Sequence, residues 1–290
     1  MSWVGSNIRR FIDEPIHETL KPSLLLYLIP PLPSRGTIIT LITILVAILT
    51  RILFILPDKH TRQSSNKNSL ETRRRKSAVR VAAFLGSGGH TSELLILLSA
   101  LPKDRYNERI YLYSSGDHFS SEKARRFEES VPSSYQHASP TPARKNPSFQ
   151  CLEIPRARAV HQSFFSTPLS LAYSLFFCLD RIALRPLADF GRKDGDVDED
   201  EDSRSSLFAD LIIMNGPGTC VPIVAAVYFL RFFGLPSPQL LYVESFARVR
   251  SLSLTAKLVR RFVDRFVVQW PEAIQGSVDD ARTVCRGWLV

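Results

Sequence analysis

Cysteine is scarce in this 290-residue chain. There are four, Cys151, Cys178, Cys220 and Cys285, far apart and with no CxxC pair. Too few for a disulfide scaffold, they are expected as reduced, mostly buried thiols in a reducing compartment. No Cys/His pair has ligand spacing, so no zinc module and no other metal site is expected. The chain also lacks the Gly-Lys-Ser/Thr ending of a P-loop, a clean GxGxxG, and any internal repeat, and no bound cofactor is expected. One stretch nearly lacks charge. Gly36 to Leu56 (GTIITLITILVAILTRILFIL) carries only Arg51.

That stretch is long enough to span about 30 Å of hydrocarbon as a helix. Its threonines can bond back to the backbone, and Arg51 can snorkel. No small-residue cleavage site follows, which fits a cleaved signal peptide poorly. Leu24 to Pro33 is too short to span, is broken by prolines, and suits the membrane interface. Residues 57–80 hold Lys59, Arg62, Lys67, Arg73, Arg74, Arg75, Lys76 and Arg80, against four basic residues before the helix. The asymmetry places the C-terminal part in the cytosol. Beside a membrane helix, Arg73 to Lys76 reads as a clamp on anionic headgroups rather than a nuclear localisation patch.

The expected organisation is an N-terminal extension over 1–35, a transmembrane helix over 36–56, a basic linker over 57–77 and an α/β domain over 78–290. Insertions are expected near 131–147, rich in Ser, Pro and Ala, and near 192–205, where Asp194 to Asp202 holds seven acids. Within the domain, short apolar runs predict strands over 79–85, 109–114, 149–154, 209–214, 239–243 and 265–269. Helices are predicted over 93–101, 120–129 (with Ser120 as N-cap), 163–187, 221–233 and 255–263. The long apolar helix 163–187 has two readings, packing on the sheet or dipping partly into the membrane interface. Alternating strands and helices at this spacing give a Rossmann-like parallel sheet covered on both faces, with its crevice at the carboxyl ends of the strands.

Three polar strand ends should line that crevice. Gly86-Ser87-Gly88-Gly89-His90-Thr91 follows the first strand. Its glycines allow close backbone approach, and the helix it feeds offers unpaired N–H groups, which suit phosphate or pyrophosphate. His90 has two readings, a general base or a residue that caps the loop and binds. Asn215-Gly216-Pro217-Gly218-Thr219 follows the fourth strand, as a second crevice loop or merely a tight turn. Glu244 and Ser245 follow the fifth. Glu244 can bind a sugar hydroxyl, orient His90, or cap the next helix.

These blocks carry a resemblance. VAAFLGSGGHTSELL, LIIMNGPGTCVPI, YVESFARVRSLSLTAKL and DRFVVQWPE, in this order over Val79 to Val290, resemble the membrane-anchoring subunit of the UDP-N-acetylglucosamine transferase of asparagine glycosylation. The resemblance implies transfer of the second N-acetylglucosamine to N-acetylglucosaminyl-diphosphodolichol. It also implies a glycosyltransferase (GT-B) fold split between two chains, this one being the acceptor-side half. The implied partners are a soluble catalytic subunit, the dolichol-diphosphate-linked sugar and the membrane of the endoplasmic reticulum with the contiguous nuclear envelope, and not nucleic acid. Gly86, Ser87, Gly88, Gly89, His90 and Thr91 then sit near the acceptor diphosphate. The 131–147 and 194–202 segments depart from the family pattern and are expected to be dispensable.

The chain stops before a second α/β half, so a missing crevice wall is expected from the partner. Trp288, Leu289 and Val290 are either a docking element or part of an ordinary last strand. Two other readings compete, a self-sufficient NAD-dependent reductase and a scaffold that never touches substrate. Against the reductase, the second strand ends without a ribose-reading acid, Asp117 coming late.

Overall fold

The computed structural model describes residues 34–56, 79–103, 105–130, 149–158, 162, 166–190, 207–274 and 282–289. Most of the N-terminal extension, the basic linker, both insertions and Val290 lie outside them. The chain divides into two units, residues 1–55 and 56–290.

The described part of the first unit is a single helix, α1 (Arg35–Ile55), in which no residue is buried. Its polar groups are satisfied locally. Thr40 Oγ1 donates to the Gly36 carbonyl and Thr43 Oγ1 to that of Ile39, each at 2.9 Å. With 21 residues, most of them apolar, α1 is long and apolar enough to cross a membrane.

Among the described residues, the second unit is built on a seven-stranded, wholly parallel sheet. Its strands are β1 (Arg80–Leu85), β2 (Glu108–Ser114), β3 (Phe149–Ile154), β4 (Leu211–Met214), β5 (Gln239–Val243), β6 (Arg265–Val268) and β7 (Thr283–Cys285). They are ordered β3-β2-β1-β4-β5-β6-β7. Its helices are α2 (Gly89–Ser99), α3 (His118–Ser130), α4 (Thr167–Cys178) running through a π-helical turn (Leu179–Leu184) into α5 (Arg185–Phe190), α6 (Cys220–Phe232) and α7 (Leu254–Val259).

The continuous apolar runs of the strands have a simple cause. Alternate residues feed two separate cores. In β1, Val81, Ala83 and Leu85 join Leu94, Leu95, Leu98 and Ala124 of α2 and α3 on one face. Ala82 and Phe84 join Cys178, Ile182, Ile223, Val227, Ala256 and Val259 on the other. Both faces are covered, so polar alternation is absent, as a parallel sheet requires. The π-helical turn has a packing consequence, because it lets the adjacent residues Ile182 and Ala183 both face the core.

Several boundaries differ from expectation. The sheet gains β7, three residues too short to register as a periodic run. Helix α2 begins at Gly89, so the end of the glycine loop is its first turn. Helix α3 begins at His118, and its cap is Asp117, not Ser120. Asp117 Oδ1 accepts from Ser120 N at 3.2 Å and Oδ2 from Ser120 Oγ at 2.7 Å. Helix α7 ends at Val259, earlier than its apolar pattern suggests. The cysteines split evenly, Cys178 and Cys220 being buried and Cys151 and Cys285 exposed, because the last two lie on edge strands.

One buried charge cluster pins α3 to β2. Glu128 and Arg109 are 5% and 4% exposed and 3.2 Å apart. The same carboxylate accepts from Tyr111 Oη at 2.5 Å and from Lys103 Nζ at 3.1 Å. Burial and the neighbouring carboxylate push the Tyr111 phenol well above its ordinary range, so it stays a donor. Glu128→Gln leaves Arg109 buried without its counter-charge. The expected cost is about 2–3 kcal/mol, read as a lower thermal midpoint of the full chain in detergent. An unchanged midpoint would contradict the buried pairing.

Candidate functional site

Strand order reverses between β1 and β4, and an open parallel sheet splits into a crevice at that point. The two loops singled out in the sequence leave those two strands. They are 125 residues apart in the chain and in contact in the fold, through His90 Nδ1 and Asn215 Oδ1 at 2.9 Å.

Glycine makes this approach possible. A Cβ on Gly86 would lie 2.7 Å from His90 Cβ, 2.8 Å from Pro217 Cδ and 3.0 Å from the Asn215 carbonyl oxygen. Gly216 has φ +112°, and a Cβ there would lie 2.9 Å from His90 Cγ. Both positions therefore exclude a side chain, the second also on backbone grounds. Below the loop, Thr91 is buried and its hydroxyl donates to the Gly86 carbonyl. It also meets Ser120 Oγ at 2.7 Å, so the loop rests on the first turn of α3. Ser87, Gly88 and Gly89 remain exposed at the N-terminus of α2, where unpaired N–H groups and the helix dipole favour an anion.

The polar network runs one residue deeper. Asn215 Nδ2 donates to Glu93 Oε2 at 2.7 Å, and Ser245 Oγ donates to Glu93 Oε1 at 3.0 Å. Glu93 thus joins the ends of β1, β4 and β5. Its carboxylate only accepts, which fixes the amide of Asn215 with nitrogen toward Glu93 and oxygen toward His90. The oxygen in turn requires the proton of a neutral His90 to sit on Nδ1. Nε2 then carries a lone pair, and no hydrogen bond from a described residue occupies it. The sequence reading did not include Glu93, which looks there like the first residue of an apolar helix. The available signal was its position three residues after His90, on the same helix face.

The remaining expected residues lie nearby with defined partners. Thr219 is buried and its Oγ1 accepts from Ala157 N at 3.4 Å, which ties the β4 loop to the chain leaving β3. Gly218 is exposed. Glu244 is buried and bonds neighbours other than His90. Its Oε1 accepts from Ser245 N at 3.1 Å and its Oε2 from Ser253 N at 3.0 Å and Ser253 Oγ at 3.1 Å. Ser253 in turn caps α7 through Ala256 N. Burial pushes the Cys220 thiol well above its ordinary range, so it is no nucleophile. Tyr242 is likewise held protonated by burial and donates to the Gly216 carbonyl at 3.2 Å.

At the carboxyl ends of β5 and β6, Trp288 stacks on Phe246 at 5.4 Å and lies 6.5 Å from Trp270, yet stays 71% exposed. Leu289 N donates to Gln269 Oε1 at 3.2 Å. Val290 lies outside the described residues. Asp117, the late acid of β2, is buried, and both its carboxylate oxygens accept from Ser120. Among the described residues no cluster of His, Cys, Asp or Glu could hold a metal.

Fold and site together define a class: a Rossmann-type α/β domain, carried on a chain with an apolar helix, whose glycine-rich loop meets a held histidine at the topological switch point. The model of the family described as "Oligosaccharide biosynthesis protein Alg14 like" matches residues 81–285, and the chain belongs to that family. The UDP-N-acetylglucosamine transferase subunit ALG14 of Cryptococcus neoformans var. neoformans serotype D is 37% identical over 247 residues, covering 85% of this chain and 93% of that protein. The subunit of the same name in Schizosaccharomyces pombe is 36% identical, covering 78% and 89%. That of Mus musculus is 34% identical, covering 68% and 77%.

Proposed function

We propose that this chain is the membrane-anchoring, acceptor-side subunit of a heteromeric UDP-N-acetylglucosamine transferase, the acceptor half of a split GT-B enzyme. The reaction is addition of the second N-acetylglucosamine to N-acetylglucosaminyl-diphosphodolichol. The partner is a soluble catalytic subunit that carries the nucleotide-sugar. The excess of Lys and Arg after the apolar helix supports a cytosol-facing domain at the endoplasmic reticulum membrane and the contiguous nuclear envelope.

The observation that carries this reading is the pairing of an exposed anion-binding loop with a histidine whose tautomer is set. The loop amides of Ser87, Gly88 and Gly89 hold the acceptor diphosphate at the N-terminus of α2. His90 follows in the same turn, so a base stands beside the bound acceptor. In the transfer, an acceptor hydroxyl oxygen attacks the anomeric carbon of the donor. The bond from that carbon to the diphosphate of UDP breaks, and UDP leaves with the electron pair. The hydroxyl proton passes to His90 Nε2. A lone pair on that nitrogen suits a proton acceptor, whereas it would repel a phosphate oxygen.

Trp288, Leu289 and Val290 form the docking element for the partner. An exposed indole seated on Phe246 at the crevice end supports that placement.

The test is a transfer assay in membranes with this chain alone, a soluble catalytic subunit alone, and both. The donor is UDP-N-acetylglucosamine and the acceptor is diphosphodolichol-linked N-acetylglucosamine. Product only from the mixture is expected. Product from this chain alone would overturn the split-enzyme reading, and none from any mixture would overturn the substrate assignment.

A further inference from the structure

We infer that the outer face of α4 lies in the headgroup boundary of the bilayer that holds the apolar helix. On that face Leu169, Tyr173 and Phe176 recur at i, i+4 and i+7 and are 78%, 63% and 69% exposed. The opposite face carries Ser174 and Cys178, both buried toward the sheet. The outward stripe is therefore not a core stripe turned inside out. The helix already has its packing face, and a second apolar face stands in solvent beside it. Such a contiguous exposed patch marks a docking surface.

Three observations select a bilayer as the occupant. First, the chain carries a helix, α1, that is long and apolar enough to cross a membrane, and such a span would tether this domain at one. Second, residues 166–179 contain no charged side chain at all, and Tyr is the one polar-tipped ring on the stripe, the composition of an interfacial helix. Third, cationic groups stand at the N-terminal end of α4. Ser170 Oγ donates to the Ala157 carbonyl at 2.9 Å and Ser174 Oγ to that of Pro155 at 2.7 Å. These bonds fix the start of the helix against the segment that holds Arg156 and Arg158. Phosphates of lipid headgroups complement that end, and acyl chains complement the stripe beyond it.

The same bonds place the start of α4 beside the β4 loop, since Ala157 N donates to Thr219 Oγ1 there. A lipid-linked acceptor can therefore keep its chain in the bilayer while its diphosphate reaches the glycine loop. This last step rests on the function proposed above. The membrane contact itself rests only on the span and on α4.

The full chain carrying the photocrosslinker p-benzoylphenylalanine at position 176 is placed in vesicles of phosphatidylcholine and phosphatidylserine with radiolabelled phosphatidylcholine. A second sample carries it at position 108, at the amino edge of the sheet. Light is expected to attach lipid label at 176 and not at 108. Absence of label at 176, or a protein–protein adduct there in place of lipid once the catalytic subunit is added, overturns the proposal. This arm needs no activity, so it stands or falls separately from the transferase reading. In the assembled enzyme, Leu169→Ser with Tyr173→Ser and Phe176→Ser removes only exposed groups. It is expected to raise KM roughly tenfold for a long-chain acceptor in vesicles, and to leave KM for a short-chain, water-soluble acceptor unchanged. Equal behaviour of the two acceptors overturns the proposal.

Discussion

His90→Ala is expected to lower turnover about 10²–10⁴-fold, the range of a positioned general base, with a much smaller change in KM for the acceptor. The network behind the ring predicts two further results. Asn215→Leu removes the oxygen that accepts from Nδ1 and leaves Glu93 without its amide donor. Turnover should fall nearly as far as in His90→Ala. Glu93→Gln is subtler. A glutamine at that position can present its own N–H groups, which frees the Asn215 amide to turn and offer nitrogen to His90. The ring then shifts its proton to Nε2, the wrong nitrogen for accepting one. The expected loss is roughly tenfold or more, in kcat rather than KM, with the fold intact by thermal melting. If His90→Ala instead raises KM and spares kcat, the histidine binds the diphosphate and removes no proton.

This network also marks where sequence reasoning stops. The buried strands were legible because each is a short β-branched or aromatic run, and runs covered on both faces have no polar alternation to confuse them. The glycine loop was legible because it follows such a run. Their meeting was not, because nothing in the local pattern around Gly86 or Asn215 says that β1 and β4 are neighbours. Parallel order is set by which crossovers pack, a property of the whole domain. Glu93 was hidden for the same reason, since its partners come from β4 and β5. Strand β7 was invisible because three residues at a sheet edge carry no period. The cap of α3 was placed on Ser120 because Asp and Ser are both good caps, and only the fold shows that Asp117 starts the helix. The resemblance to known transferase subunits depended on none of these, since it rests on residue order within blocks.

The glycine loop yields the second large effect, because two of its glycines are required for different reasons. Gly86→Ala places a methyl group against His90 Cβ, Pro217 Cδ and the Asn215 carbonyl oxygen, all within 3.0 Å. None of these is the far end of a flexible side chain, so the two loops must separate. Overpacking of this kind costs about 1–3 kcal/mol. Displacing His90 from Asn215 by even about an ångström should reduce transfer on the order of 100-fold. Gly89→Ala is the opposite case. An added Cβ meets nothing within 4 Å, and alanine at the start of α2 favours the helix by up to about 1 kcal/mol. The fold should therefore be unharmed or slightly steadier. If the loop amides cradle a diphosphate, the new methyl group stands where the ligand approaches, and KM for the acceptor should rise while the thermal midpoint does not fall. Gly86→Ala would then fail through geometry and Gly89→Ala through access, and melting temperature separates the two. Wild-type KM in Gly89→Ala would remove the loop from the acceptor site and leave Gly86 a purely structural glycine.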